Sequence, residues 1–160
     1  MAGYGDNSAF NAWLIENGFT LPADAPSPAV LRERGSAYID GTYGLRFVGT
    51  PTDPTQEREW PRTGASIFGT ELATSVIPDR VVKASYRAAY IAATNPSALS
   101  AVVDPNRMVK RQKVDTIERE FFEPGAGADG LLTASVSSDI EGLLAPLLRP
   151  ADGFPAAMVV

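Results

Sequence analysis

The sequence contains no histidine and no cysteine. Their absence excludes zinc sites built from imidazole and thiolate, Ser-His-Asp and Cys-His nucleophilic systems, disulfide scaffolds and iron–sulfur ligation. Two pairs of carboxylates are closely spaced, Glu57 with Glu59 and Glu118 with Glu120. Nothing around them marks the shaped, dry pocket that acid–base chemistry needs. We therefore predict that the protein is not an enzyme and that it binds no cofactor and no metal.

Positive charge is scarce as well. The chain has 14 Lys and Arg residues against 19 Asp and Glu residues, and its formal net charge is -5. Because non-specific affinity for nucleic acid comes mostly from Lys and Arg displacing counterions, this balance disfavours a protein whose main task is to grip phosphates. The sequence also lacks a run of about 20 apolar residues that could span a bilayer. We therefore expect no membrane partner.

Proline and glycine are abundant, with 13 and 14 of the 160 residues. A chain of this length can bury roughly 70% of its unfolded surface, which is enough for one domain with a real core. So many helix-breaking residues predict helices that are joined by long loops. We divide the chain into one domain at residues 1–150 and an apolar tail at 151–160, which is either unstructured or docked on another chain.

Capping residues and apolar periodicity predict four helices. Each begins at a polar cap or a proline and ends near a glycine or a proline. Their expected ranges are 7–18, 27–44, 78–95 and 137–149. The fold class is therefore mainly α, a small bundle of about four helices. Residues 45–76 show no helical period, and a loop of that length predicts a functional segment or one that packs against a partner.

An extended arm is predicted at about residues 107–123. Its apolar residues favour a strand, and its first half is basic while its second half is mostly acidic, so the halves could pair as a hairpin. Trp and Arg are also frequent anchors of protein interfaces. The candidates for contacts with other chains are Trp60 and Arg62 in the long loop and, in the arm, Arg107, Lys110, Arg111, Lys113, Ile117, Arg119, Phe121 and Phe122.

A basic stripe lies on the third predicted helix. Arg80, Lys83 and Arg87 follow the spacing that puts side chains on one helical face. Tyr86 and Tyr90 are close by and could stack on bases, which makes this stripe a candidate site for single-stranded nucleic acid. A plain solvated helix face is the other interpretation of the same pattern.

Several sequence segments carry a resemblance to a known family. They include "AFNAWLIENGF", "EWPRTGAS", "VIPDRVVKASYRAAYIA" and "DIEGLLAPLLRP". In this order they resemble the phage proteins labelled DnaT-like single-stranded-DNA-binding protein, which are similar to the head-tail connector (adaptor) subunits of tailed bacteriophages. The similarity covers about residues 7–150.

The resemblance implies a structural protein of the virion neck, assembled in the host cytoplasm. Its copies would form a ring, commonly a dodecamer, that lies beneath the portal protein, extends the DNA channel and receives a tail, stopper or tail-terminator protein. DNA would pass through the lumen without sequence-specific binding, and the family supplies no catalytic residues. The alternative function is that of a replication protein, DnaT-like and primosomal, that binds single-stranded DNA through Arg80, Lys83 and Arg87 together with the basic run from Arg107 to Lys113.

Overall fold

The computed structural model describes residues 2–95, 99, 111–114, 117–120 and 138–149. Within these ranges the chain forms four α-helices and three short antiparallel strand pairs. The predicted fold class, mainly α with one β-hairpin arm, is confirmed. The helices are α1 (Asn7–Glu16), α2 (Pro28–Tyr43), α3 (Asp79–Thr94) and α4 (Ser138–Leu144). The strand pairs are β1 (Thr50–Pro51) with β2 (Arg62–Thr63), β3 (Ser66–Ile67) with β4 (Thr70–Glu71), and β5 (Arg111–Val114) with β6 (Ile117–Glu120).

The first three helices begin where the sequence predicts. Asp6 caps α1, and its side chain accepts a hydrogen bond of 2.8 Å from the backbone N–H of Ala9. Pro28 opens α2, where its missing N–H costs nothing because the first turn has no intrahelical acceptor for it. Pro78 precedes α3 in the same way. Local capping chemistry therefore sets the start of each of these helices.

Close packing of α2 on α3 forms the centre of the fold. A Cβ placed on Gly35 would lie 2.2 Å from the carbonyl oxygen of Ser85 and 2.7 Å from the backbone nitrogen of Ala89. Only glycine fits there, and the small residues of α3 let the two backbones approach. The buried alanines and Ser85 of α3 thus allow the close packing of the two helices.

Two apolar clusters flank this helix pair. The smaller one buries Phe10 and Leu14 of α1 against Leu31, Tyr86 and Ala89. The larger one joins the ends of α2 and α3 to the long loop and to α4; its largest buried side chains are Trp60, Tyr4, Tyr43, Phe47, Ile39, Ile140, Leu144 and Leu147. Burial of such side chains typically contributes about 1.5–3 kcal/mol each, so these clusters dominate the stability of the domain.

The loop at residues 45–76 packs on the chain's own core, which corrects the alternative that it packs against a partner. Phe47 and Trp60 are buried and meet edge to face with ring centroids 5.6 Å apart. Ala65 is fully buried as well. A β-bridge between Phe47 and Leu148 then ties the loop to the segment after α4. Phe47 and Trp60 are large enough to anchor the loop on the core, although other apolar residues of the loop, such as Leu45 and Phe68, are exposed.

The last helix is shorter than predicted. α4 ends at Leu144 and continues only as a 3₁₀ helix, Ala145–Leu147, rather than as an α-helix to residue 149. Pro146 has no N–H to donate and clashes with the preceding turn, so the α-helix cannot pass it. The tail at 151–160 lies outside the described residues.

Candidate interaction surfaces

The three cations of the basic stripe on α3 contact other residues of the same chain. The Nζ of Lys83 lies 2.7 Å from a carboxylate oxygen of Asp79, and Arg87 lies 2.7 Å from Oδ2 of Asp139. Arg80 donates a hydrogen bond of 3.4 Å to the carbonyl oxygen of Leu143. The structure therefore brings the three predicted cations onto one side of the fold, but two of them are already paired with carboxylates.

Aromatic rings accompany the cations at both ends of this stripe. The guanidinium of Arg87 lies 4.9 Å from the ring centroid of Phe19, and Phe19 stacks on Tyr90 at 4.4 Å. At the other end, the guanidinium of Arg80 lies 5.7 Å from the ring of Phe68. Such cation–π pairs hold the ring and the guanidinium in fixed relative positions.

Tyr86, which the sequence placed among the possible stacking residues, is buried instead. It is 3% exposed and its ring lies 5.2 Å from that of Phe10. Phe19 and Trp13 were not among the predicted site residues. They come from α1 and the loop after it, so only the packing of α1 on α3 reveals that they border the stripe.

A cavity of about 560 Å³ opens between α1, α3 and α4 beside these residues. Aromatic, cationic and anionic side chains share its wall, so it offers ring stacking together with charges of both signs. The lining residues are Trp13, Glu16, Asn17, Phe19, Lys83, Arg87, Asp139, Gly142 and Leu143.

Two of the predicted interface anchors lie inside the fold. Trp60 is 2% exposed and Arg62 is 5% exposed. Arg62 forms an ion pair of 2.6 Å with Glu59 and donates hydrogen bonds of 3.0 Å to the carbonyl oxygens of Val48 and Gly49. Both residues therefore hold the long loop together, and neither side chain reaches a partner from this position.

The predicted pairing of the basic and acidic halves of the arm is confirmed by the β5–β6 hairpin. Its register sets Arg111 opposite Glu120 and Lys113 opposite Glu118, so basic positions of one strand face acidic positions of the other. Ile117 and Arg119 also lie on β6. The remaining predicted arm residues lie outside the described residues: Arg107, Lys110, Phe121 and Phe122.

Among the described residues, the three most exposed large apolar side chains lie at separate places. Leu45 is 99% exposed at the end of α2, Ile15 is 79% exposed on α1, and Phe68 is 78% exposed between β3 and β4. Phe68 has a φ of 50° and is followed by Gly69 with a φ of 80°. Positive φ at both turn residues is typical of a type I′ hairpin, in which Asn or Gly is the usual choice and a bulky residue is strained.

A polar cluster on α2 was missed by sequence reasoning. Burial raises the pKa of Asp40, although its hydrogen bond from Tyr4 and the nearby Arg58 act in the opposite direction. Burial also raises the pKa of Tyr4, and its hydrogen bond to Asp40 adds to that rise. The one sequence signal was the tyrosine flanked by Gly3 and Gly5, a pattern typical of a backbone that lies close to another surface.

No group of potential metal ligands occurs among the residues that the structure describes. In the same part of the chain, no helix is both long enough and apolar enough to cross a bilayer.

The helices and the separate hairpin define a mainly α-helical protein. A family model described as "Putative DnaT-like ssDNA binding protein" matches residues 3–160. The chain belongs to this family. No curated protein and no solved structure shows a significant match to it.

Proposed function

We propose that the chain is a head-tail connector (adaptor) subunit of a tailed bacteriophage. Its copies form a ring in the virion neck between the portal protein and a tail, stopper or tail-terminator protein. The ring extends the DNA channel, and the duplex passes through its lumen without sequence-specific contacts. The role is structural, with no catalytic step.

The observation that carries this proposal is the β5–β6 hairpin. Among the described helices and strands, β5 and β6 contact each other and no further element. A two-stranded sheet has one unpaired edge on each strand, and such edges readily pair with another chain. Here one edge belongs to the basic strand and the other to the acidic strand. Head-to-tail pairing of these edges between copies repeats the same contact around a ring and closes it.

The exposed apolar residues support the same role. Leu45, Ile15 and Phe68 sit on three different elements rather than in one patch. A ring subunit needs at least two different contact surfaces, one for each neighbour, and more for the rings above and below it. Leu45, Ile15 and Phe68 are candidates for these separate contacts.

The surface charge also supports a channel role. The net charge of -5 is expected to repel a passing duplex rather than hold it. Because Lys83 and Arg87 are neutralised by Asp79 and Asp139, the most basic helix adds little attraction for phosphates.

The test is assembly of the purified chain, followed by native mass spectrometry and negative-stain microscopy. We expect closed rings, and we expect Lys113→Glu to disperse them because it sets like charges against the acidic strand. The double variant Lys113→Glu/Glu118→Lys should restore the rings. Lys83→Glu makes the same charge change on α3 and should leave them intact. A chain that stays monomeric at all concentrations, or equal effects of Lys113→Glu and Lys83→Glu, would contradict the proposal.

The second candidate function is binding of single-stranded DNA, and one specific observation favours it. The family description names such binding, and the cavity beside α3 combines Lys83 and Arg87 with the rings of Trp13 and Phe19. Stacking of bases on aromatic rings next to cations is the general means of holding single strands without sequence preference.

Fluorescence anisotropy with a labelled oligonucleotide tests whether the protein binds single-stranded DNA. Binding through α3 predicts an affinity that falls steeply with added salt and that drops in Lys83→Ala. Arg34→Ala removes one exposed charge from α2 and is the matched control. Absence of binding at low salt removes this candidate and leaves the connector proposal intact.

A further inference from the structure

The N-terminal strap, which we define as residues 3–6, lies in a groove between α2 and α3. Arg32 of α2 is 8% exposed, and its guanidinium donates hydrogen bonds to three successive carbonyl oxygens of the strap. The distances are 2.6 Å to Gly3, 3.2 Å to Tyr4 and 2.6 Å to Gly5. Because the guanidinium is a rigid, planar fork, it can serve three carbonyls only when the peptide has one particular conformation.

The side chain and backbone of Tyr4 are recognised separately. Its backbone N–H donates a hydrogen bond of 2.8 Å to Oγ of the buried Ser36. Its ring is 3% exposed, and its hydroxyl donates to Asp40 and accepts a hydrogen bond of 3.3 Å from the backbone N–H of Trp60. A phenylalanine would fill the same space but leave both polar partners without the hydroxyl, so the groove specifies tyrosine.

The two neighbouring positions specify glycine. A Cβ on Gly3 would lie 2.5 Å from the backbone carbon of Arg32, which cannot move without displacing α2. A Cβ on Gly5 would lie 2.0 Å from the hydroxyl of Tyr86, and the φ of Gly5 is +66°. That hydroxyl in turn donates to the carbonyl oxygen of Asp6 over 3.3 Å.

We propose that this groove is a specific binding site for a Gly-Tyr-Gly peptide in the conformation of the strap. Each chain fills it with its own strap, and it also takes the same segment from a second copy of the chain. The strap and α1 are joined to α2 by the linker at residues 17–27, and exchange between copies would keep every contact described above. Its cost is then the loss of the high effective concentration that the tether provides. The proposal does not depend on the connector role.

The first test uses the full-length chain and a labelled peptide of residues 2–7, Ala-Gly-Tyr-Gly-Asp-Asn. Gly5→Ala keeps the strap out of its own groove, so this variant should bind the peptide one to one and rise in melting temperature. Wild type should bind it at least about tenfold more weakly because its own strap competes at high effective concentration. Gly18→Ala is the matched control, since Gly18 has a φ of +68° with no atom within 4 Å of the added Cβ.

The outcomes of this test are distinct. Peptide that carries alanine in place of the second glycine should not bind to any variant. If Gly5→Ala is largely unfolded, the peptide should still raise its melting temperature. Equal binding by wild type and Gly5→Ala, equal binding of the alanine peptide, or a Gly5→Ala variant that neither binds peptide nor differs from wild type would overturn the proposal.

The second test asks whether another copy supplies the strap. Full-length Gly5→Ala, with an open groove, is mixed with full-length Arg32→Ala, whose strap is intact but whose groove lacks the guanidinium. We expect more mixed species in native mass spectrometry than from Gly18→Ala mixed with Arg32→Ala. Ring contacts would appear equally in both mixtures, so they do not imitate this excess. Equal amounts of mixed species in both mixtures would show that the groove takes only the strap of its own chain and would overturn the exchange between copies.

Discussion

The guanidinium of Arg87 and the carboxylate of Asp139 join α3 to α4 over 2.7 Å across 52 positions of sequence. Asp139 is well exposed, while Arg87 also lies over the ring of Phe19. The pair therefore closes one side of the cavity without being buried. Arg62 with Glu59 is the opposite case, because its cation is enclosed by the loop that it supports.

Exposure should decide what each of these ion pairs contributes to stability. We expect Asp139→Asn to lower the free energy of unfolding by less than about 1 kcal/mol, because an exposed pair is screened by solvent. Arg62→Ala should lower it by about 3 kcal/mol or more, since it leaves Glu59 and the carbonyls of Val48 and Gly49 without their donor. Urea denaturation measures both. Similar losses in the two variants would contradict this difference.

Two glycines of α2 should respond oppositely to alanine. Gly35→Ala forces α2 and α3 apart at Ser85 and should cost about 1–3 kcal/mol or more, as overpacked cores do. Gly41 is exposed with no atom within 4 Å of an added Cβ, so Gly41→Ala should stabilise the protein by about 0.5–1 kcal/mol through helix propensity. Thermal and urea denaturation measure both changes in stability, a decrease in Gly35→Ala and an increase in Gly41→Ala. A lower free energy of unfolding in Gly41→Ala would mean that this face of α2 is not exposed to solvent.

The helix starts could be predicted from sequence because their signals are local. Asp6, Pro28 and Pro78 act on the backbone of the next turn, whatever the rest of the chain does. The end of α4 was also encoded, in Pro146, but the leucine pattern on both sides of it favoured a longer helix.

The buried arginines could not be predicted in the same way. Arg32 is buried only because residues 3–5 supply carbonyl oxygens some 28 positions away, and a sequence pattern shows charge but not its distant acceptors. The packing of the loop at residues 45–76 has the same cause, since Trp60 meets Phe47 and Tyr4 through tertiary contacts alone.

Alkaline pH should release the strap through Tyr4. Burial, together with its hydrogen bond to Asp40, raises the pKa of Tyr4 above its ordinary value near 10. A group whose pKa is raised by folding stabilises the fold fully below its unfolded pKa, and this contribution is lost as the pH rises above about 10. We therefore expect stability to fall above that pH, and the fall to be shallower in Tyr4→Phe.

At neutral pH, Tyr4→Phe should be less stable than wild type by about 1.5–3 kcal/mol, because a hydrogen bond to a charged group is lost. Urea denaturation between pH 7 and 11 measures both effects. Tyr90→Phe is the control, since the ring of Tyr90 stacks on Phe19 rather than on the strap. An unchanged alkaline slope in Tyr4→Phe would show that the Tyr4 hydroxyl does not control it.

A substitution in the strained turn at Phe68 should affect assembly without a large effect on the stability of the fold. Phe68→Asn relieves a left-handed conformation that costs roughly 1–2 kcal/mol in a bulky residue. It also removes the contact with Arg80, worth about 0.5–1 kcal/mol at an exposed site. The two changes oppose each other, so the free energy of unfolding should stay within about 1 kcal/mol of wild type or rise slightly.

Assembly of the proposed ring should nevertheless weaken in Phe68→Asn, because an aromatic side chain that is 78% exposed at a strained position is a candidate for a contact outside the chain. Native mass spectrometry at matched concentrations measures this loss, beside urea denaturation of the same samples. Thr70→Asn changes an exposed residue of the same hairpin that carries no aromatic ring and has an ordinary φ, and it should assemble like wild type. If Phe68→Asn assembles as well as Thr70→Asn, the exposed side chain of Phe68 is not an assembly contact of the proposed connector.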